Sequence, residues 1–254
     1  MEKINNNFGK ILIFAGAGIS AESGLSTFRD KDGLWTKYDI NKVCTYRTLL
    51  AAKDDLDKRK YIFDFYNDIR KSIHTAIPNK AHIEIASWQK KYGTDRVKIV
   101  TANIDDLFEK AGCEEVVHVH GDIQNMLCIG CGNIWKVSEA GYKHDERCPR
   151  CNSRQTKPNV VFFGEQAPHY LTMQQIFNIK RRAENDLLLY VGSSQNVIPP
   201  SRLIGKASKS YHLGKTILVD LNQGEEGHLF HYKYLCKATE GIPRVSVDFL
   251  QNNN

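Results

Sequence analysis

Four of the chain's seven cysteines fall into two tight pairs, Cys128-x-x-Cys131 and Cys148-x-x-Cys151, with sixteen residues between them. Each C-x-x-C knuckle aims two thiolates at one point, and two knuckles complete a closed tetrahedral zinc site. A redox dithiol would need only one pair, beside a thioredoxin-like βαβ unit. Four thiolates leave no open coordination position, so the expected metal is one structural Zn2+ held by Cys128, Cys131, Cys148 and Cys151. Cys44, Cys113 and Cys236 stand alone and read as small packing residues.

A second chemical signal is Gly16-Ala17-Gly18-Ile19-Ser20-Ala21, which follows an apolar run and fits G-x-G-x-x-(G/A). Glycines there allow a tight turn and let backbone N–H groups approach a pyrophosphate at a helix N-terminus. Gly16, Ala17, Gly18 and Ser20 are therefore candidates for a dinucleotide site; the alternative is a turn needed only for chain reversal. The acidic residue expected about twenty positions on, at the end of a second strand, is missing. Asp39 lies near that distance but outside a strand pattern, and Asn222 is the candidate for ribose recognition instead.

His118 and His120 stand two apart, which on a strand places them on one face. An imidazole titrates near neutrality and suits a general base, although a strand histidine often serves structure alone. Asn103 and Asp105 carry groups that can hold a ribose or a carboxamide; Asn103 is also a good N-cap type before a helical run.

Short apolar runs supply the elements that would position these groups. Strands are expected at Lys10–Ala15, Val97–Thr101, Val116–His120, Asn159–Phe163, Asp186–Val191 and Thr216–Leu221. Helices are expected at Ile83–Lys91, opened by Pro78-Asn79 and closed at Gly93, and at Asp105–Ala111, closed at Gly112. Alternating strands and helices point to an α/β fold with a Rossmann-like, doubly wound parallel sheet. Two stretches interrupt the rhythm: Thr36–Thr75 reads as helical, and Gly121–Lys157 holds the paired cysteines with little regular pattern. The expected division is a Rossmann-like domain from residues 8–35, 76–120 and 158–254, with a smaller inserted domain, helical and zinc-binding, from 36–75 and 121–157. Ligands in such folds bind at the carboxyl ends of the strands and at domain junctions.

Composition sets the outer bounds. A hydrophobic share of 41% and a charged share of 25% are those of a globular enzyme. The apolar runs are too short to span a bilayer, so no membrane association is expected. Met1–Lys10 is polar and Asn-rich, unlike a signal peptide, and an odd cysteine count argues against a disulfide framework; a cytoplasmic protein is expected. Net charge is +6, which favours anionic ligands such as dinucleotides. The basic residues form only small clusters, such as Lys58-Arg59-Lys60 and Lys180-Arg181-Arg182, so solvated helix faces are expected and a nucleic-acid partner is not.

Taken together the motifs resemble those of the sirtuins, and specifically their compact bacterial members. Gly16–Ser20 continues into Glu22-Ser23-Gly24, Thr27-Phe28-Arg29 and Gly33-Leu34-Trp35. Thr101-Ala102-Asn103-Ile104-Asp105 follows, then His120-Gly121 before the first cysteine pair and Pro158–Glu165 after the second. Gly192-Ser193-Ser194 with Val197 and Pro199, and then Asn222, complete the series. The likeness runs from Lys10 to Leu250. It implies an NAD-dependent protein-lysine deacylase that yields nicotinamide, free lysine and O-acyl-ADP-ribose. The neighbouring reading is an NAD glycohydrolase or ADP-ribosyltransferase on the same fold. The resemblance selects His120, directly before the glycine, as general base, with Asn103 beside it in catalysis. It implies NAD contacts from Gly16, Ala17, Gly18, Ser20, Glu22, Thr27, Phe28, Arg29, Asn103, Ile104, Asp105, Gly192, Ser193, Ser194, Val197 and Asn222. It also implies an acyl-lysine protein or peptide as partner, held along Val161, Phe162, Phe163, Gly164 and Glu165 by main-chain pairing.

Three positions depart from that pattern. Ala102 replaces the usual Gln, which reaches toward the ribose, and Ala15 stands where Thr is frequent. The expected effect is slower deacylation, or a tilt toward NAD hydrolysis or ADP-ribosyl transfer. Bacterial sirtuins that remove succinyl or malonyl groups carry Tyr-x-x-Arg in the small-domain helix; here Tyr66 is followed three residues on by Ile69. Arg70 would point about 100° away around the helix. Uncharged acyl groups are therefore the expected substrates.

Overall fold

The computed structural model describes residues 8–26, 37–138, 140–205 and 214–250. Its strands are β1 (Ile11–Ala15), β2 (Val97–Thr101), β3 (Val117–His118), β4 (Gly121–Cys128), β5 (Ile134–Lys136), β6 (Thr156–Val160), β7 (Leu187–Val191), β8 (Lys215–Asp220) and β9 (Tyr232–Leu235). Six of them form one parallel sheet in the order β3-β2-β1-β7-β8-β9. Every residue of β1 and β7 is buried, which is why both read as unbroken apolar runs. The register sets Ala15 beside both Thr101 and Val191, so β1, β2 and β7 end level with one another.

Alternate residues of these strands feed opposite layers. Ile11 and Ile13 pack with Ile85 and Trp88 of the Lys80–Tyr92 helix and with Ile242 and Val245 of the Ala238–Val245 helix. Leu12 and Phe14 face Tyr190, Met173, Phe177 and Leu203 on the other side. The Lys80–Tyr92 helix begins where the sequence places it, with Asn79 Oδ1 accepting from Ala81 N, and ends at Gly93, φ 85°. The helical stretch Thr36–Thr75 resolves into Ile40–Val43, Tyr46–Ala51 and Leu56–Thr75.

Several expected elements are corrected. The strand expected at Asn159–Phe163 runs Thr156–Val160 and leaves the parallel sheet, pairing antiparallel with β4 in a separate order β5-β4-β6. The irregular stretch Gly121–Lys157 contains β4 and β5; a register shift between Gly121 and Met126 breaks the alternation that would have betrayed β4. The strand expected at Val116–His120 shrinks to Val117–His118, because the chain turns at once into β4. Gly121 makes that turn at φ 78°, and a Cβ there would run into the Asn159 carbonyl. The Asp105–Ala111 helix is only Leu107–Lys110, and edge strand β9 gave no apolar run to find.

A second apolar cluster joins the Leu56–Thr75 helix to the antiparallel sheet through Phe63, Phe65, Tyr66, Ile123, Met126 and Phe162. Polar clamps reinforce it. Asn67 Nδ2 donates to Tyr142 O at 2.9 Å while its Oδ1 accepts from Tyr142 N at 2.6 Å. Arg59 Nε donates to His144 O at 2.8 Å, with its guanidinium over the Phe63 ring. Burial pushes the Cys44 thiol up to about 11 and Cys113 to about 12, as inert packing residues require. Among the described residues no helix is long and apolar enough to cross a membrane.

Candidate functional site

Because β1, β2 and β7 end level, the loops leaving them meet at one edge of the sheet. Gly16 N donates to Val191 O at 2.9 Å, and Gly18 N to Gly192 O at 2.7 Å. A Cβ on Gly16 would lie 2.7 Å from the Gly192 carbonyl, and one on Gly18 would lie 2.8 Å from the Gly192 Cα. The glycines thus let two turns press together backbone to backbone. This differs from the expected helix N-terminus: Ala17–Ile19 and Ala21–Ser23 are short 3-10 turns, and the Gly16 and Gly18 donors are used internally. Asn79, read from sequence as a helix cap, also donates to Ile19 O at 2.7 Å and Ser23 Oγ at 3.1 Å, holding the turn from beneath. Glu22 faces the C-terminal helix, accepting from Thr239 N and Oγ1 with Lys237 Nζ 3.7 Å away.

A buried polar network spans the ends of β1 and β2. Asn103 Nδ2 donates to Ser20 Oγ at 3.1 Å, and Ser20 Oγ donates to Asp105 Oδ2 at 2.9 Å. Asp105 Oδ1 accepts from Leu107 N at 3.1 Å, so the carboxylate is spent on the loop and the short helix after it. Thr101, which the sequence did not single out, accepts from Asn103 N and donates to Ala15 O. Burial raises the Asp105 pKa, and the Leu107 N–H and Ser20 hydroxyl offset part of that rise. Ile104 accepts at its carbonyl from Ile123 N at 3.1 Å, tying the network to β4.

The two histidines have different surroundings. His120 Nδ1 lies 3.0 Å from Ala102 O. A carbonyl only accepts, so Nδ1 carries the proton and Nε2 keeps a lone pair. Among the described residues Nε2 has no recorded partner, and burial lowers the His120 pKa, with the carbonyl pulling the other way. That is a neutral imidazole with its basic nitrogen available. His118 has both nitrogens engaged, Nδ1 2.9 Å from Asn103 O and Nε2 2.8 Å from Glu109 Oε1.

The remaining candidates line the same edge. Gly192 adopts φ 59°, Ser193 Oγ accepts from Tyr190 at 3.0 Å, and Ser194 and Val197 follow, the latter exposed. Asn222 lies on the loop after β8, exposed, its N–H donating to Asp220 Oδ1. Gln195, absent from the sequence reading, joins these loops: its Nε2 donates to Gln223 O at 3.0 Å and its Oε1 accepts from Glu226 N at 3.3 Å. Its positive φ of 65° was not visible in composition. Thr27, Phe28 and Arg29 lie outside the described residues.

The segment after β6 passes beside His120. Val161 N donates to His120 O at 2.8 Å. Its other members have partners of their own. Phe162 is buried against Tyr66, and Phe163 pairs with Cys44 and Tyr46 through its backbone, leaving its ring exposed. Gly164 turns at φ 93°, and Glu165 accepts from Phe162 N at 2.7 Å and from buried Lys157 Nζ at 2.8 Å. Lys157 is held below the usual lysine range by burial, against the pull of Glu165.

At the far end of β4 the four thiols of Cys128, Cys131, Cys148 and Cys151 lie within 4.8 Å of one another. The knuckles are built alike: Gly132 N donates to Cys128 O and Asn152 N to Cys148 O, each at 2.9 Å, with positive φ at Gly132 and Asn152. Sγ separations of 3.6 Å for Cys128–Cys151 and Cys131–Cys148 match the roughly 3.8 Å edge of a tetrahedron with Zn–S bonds of about 2.3 Å. None of the seven cysteines is in a disulfide. The donor set fits structural zinc.

Residues 16–199 match the Sir2 family. An NAD-dependent protein deacylase of Campylobacter jejuni is 39% identical over 202 residues, 79% of this chain and 80% of its own. One from Caulobacter vibrioides is 38% identical over 92% of this chain and 94% of its own. In three dimensions a mutant Sir2 homologue complexed with ADP-ribose superposes with a TM-score of 0.80 at 27% identity, covering 98% of this chain and 96% of that one. A Sir2 homologue–NAD complex gives a TM-score of 0.76 at 30% identity, covering 94% and 89%. A glycine turn seated against a second glycine, a histidine with its Nε2 available at the level end of the sheet and a four-thiol site at the far end of β4 thus occur together in a chain that belongs to the Sir2 family.

Proposed function

We propose that this chain is an NAD-dependent protein-lysine deacylase acting on acyl-lysine proteins or peptides. The observation that carries the reading is the state of His120: Nδ1 is committed to Ala102 O, leaving Nε2 as a base at the strand-end edge where the NAD loops converge. NAD, when bound, supplies a ribose whose nicotinamide can leave and to which an acyl group can be passed. His120 would accept a proton from a ribose hydroxyl, and Asn103, anchored through Ser20 and Thr101, would hold the ribose or the carboxamide. The Gly16–Gly18 turn, Ile104, Gly192–Ser194, Val197 and Asn222 form the rest of the NAD site, with Ser20, Glu22 and Asp105 shaping it from behind.

The acyl-lysine peptide runs beside Val161, whose neighbours in 162–165 are fixed by the Lys157–Glu165 pair and the Phe163–Cys44 contact. In this reading the chain divides into a Rossmann-like domain (8–35, 76–120 and 158–254) and a smaller one (36–75 and 121–157), with β6 crossing the boundary at 158 to pair with β4, and the peptide and NAD entering between the two. The four thiols hold zinc away from the reacting atoms.

Nicotinamide release measured with and without an acetyl-lysine peptide tests the proposal. Release that depends on the peptide, with matching loss of the acetyl group, is expected. Equal release without peptide would instead mark an NAD glycohydrolase or an ADP-ribosyltransferase.

A further inference from the structure

We infer that His118, bonded at once to Glu109 and to the Asn103 carbonyl, is a positioning residue that pins the loop carrying Asn103 and Asp105. The inference rests on the deacylase reading and adds to it a residue that does not touch the substrate.

The argument begins with hydrogen-bond chemistry. His118 Nδ1 is 2.9 Å from a backbone carbonyl, and Nε2 is 2.8 Å from a carboxylate oxygen. Both partners accept and neither donates, so both ring nitrogens must donate. Only the imidazolium has two N–H groups. The charged groups acting on His118 are Glu109, from the Leu107–Lys110 helix, and Asp105, from the loop after β2; both are acidic. Strand β2 adds none, since its register partner is Thr101. Burial opposes the charge, but Glu109, the Asn103 carbonyl and Asp105 outweigh it and raise the His118 pKa.

The consequence falls on Asn103, whose peptide is fixed at three places. Its N–H donates to Thr101 Oγ1, its side chain donates to Ser20, and its carbonyl accepts from His118. Of these three contacts only the last is made by a group that titrates near neutrality. Deprotonation leaves one N–H for two acceptors, so a lone pair then faces either Asn103 O or Glu109. The sign follows: a raised pKa keeps the clamp closed at low pH and opens it as pH rises through that value. His120 behaves oppositely, becoming a competent base as pH rises through its lowered value. Two histidines two residues apart therefore work in opposite charge states, and activity is confined between them. The acid limb belongs to His120 together with Asp105, and the alkaline limb to His118.

The test is the pH profile of kcat/KM for NAD-dependent removal of acetyl from a lysine peptide, in the native chain, Glu109→Gln and His118→Asn. The native profile should be a bell. Glu109→Gln should move the alkaline limb toward lower pH by about one while leaving the acid limb in place. His118→Asn should abolish the alkaline limb and lower the plateau several-fold. A structural role alone would lower the whole profile without moving a limb. An alkaline limb unmoved in both variants overturns the inference. The NMR titration of His118 in the native chain and in Glu109→Gln stands independently of turnover and of whether His118→Asn folds. A His118 midpoint above that of His120, falling in Glu109→Gln, supports the clamp; a midpoint at or below that of His120 overturns it. Absence of peptide-dependent turnover in the native chain would sink the deacylase reading and leave the NMR result to decide the clamp.

Discussion

At the level end of the parallel sheet, candidate site residues are placed by the backbone: Gly16 and Gly18 by pairing with Val191 and Gly192, His120 by the Ala102 carbonyl. In the cysteine-bearing lobe the same task falls to side chains, with Asn67 and Arg59 clamping loops to a helix and four thiols closing the far end. Sheet geometry is shared by every strand in register, so one lost contact at the edge leaves its neighbours in place. The lobe's sheet has three strands and a register shift between Gly121 and Met126, so its order depends on a few discrete links. The first region should therefore lose chemistry when altered, and the second should lose structure.

The largest effect expected is removal of one thiolate. Cys148→Ala, or chelation, should release the metal and unfold the lobe, because structural zinc contributes on the order of 10 kcal/mol in small zinc domains. Metal analysis should find one zinc per chain. Hydrogen exchange should show protection lost in 121–157 and kept in β1, β2 and β7. Well-folded protein without zinc would sink the assignment, and equal loss in both regions would erase the distinction drawn above.

The complementary break lies at the sheet edge. His120→Ala should cut kcat by roughly 10²–10⁴-fold while NAD still binds, since a base lost from the chemical step need not alter ground-state binding. His118→Ala should be far milder at neutral pH, because His118 acts through Asn103. Kinetics of the two variants side by side, with NAD binding by calorimetry, decide the matter; equal losses would mean the base is misassigned.

The same contrast explains what could be read from the amino-acid sequence. Strands β1, β2, β7 and β8 were legible because central parallel strands are buried on both faces and leave largely apolar runs, unbroken in β1 and β7. The cysteine spacing was legible because two knuckles have few other uses. Strand β4 was not, because its register shift scrambles the alternation that marks a half-buried strand. Nor was the identity of the partner that makes Gly16 and Gly18 necessary: the turn motif is local, but Gly192 lies far along the chain. The motif marks Glu165 as part of a main-chain edge for the substrate, but not that its carboxylate is held by Lys157, a pairing no local spacing announces.

Within the cysteine-bearing lobe, acyl selectivity sharpens the comparison. Ile69 packs on the second apolar cluster, and Arg70 lines a cavity of about 290 Å³ with Lys37, Asp68 and Gly141. Neither supplies the arginine that a Tyr-x-x-Arg helix offers to an acyl carboxylate. A charge-assisted bidentate contact is worth about 1.5–3 kcal/mol. Acetyl-lysine peptide should thus exceed its succinyl counterpart by roughly tenfold or more in kcat/KM, and comparable values would refute the reading.

The smallest effect concerns Ala102, where the chain departs from the family's Gln. Its backbone already performs one task, since the carbonyl orients His120 and the N–H donates to Ala15 O. A side-chain change leaves both contacts in place, so Ala102→Gln tests the missing amide by itself. One neutral hydrogen bond of about 1 kcal/mol corresponds to roughly fivefold in kcat/KM. The gain should appear in peptide-dependent turnover and not in NAD affinity, because the amide is needed at the reacting ribose. The Ala102 methyl packs against the apolar layer of Leu12 and Phe14. If that layer has no room for a longer side chain, activity will fall along with thermal stability. If deacylation is unchanged and peptide-independent nicotinamide release is suppressed, Ala102 serves a second NAD reaction. Assaying both activities and Tm in the parent and the variant separates the three outcomes, and only a rise in deacylation sustains the view that Ala102 is a lost contact.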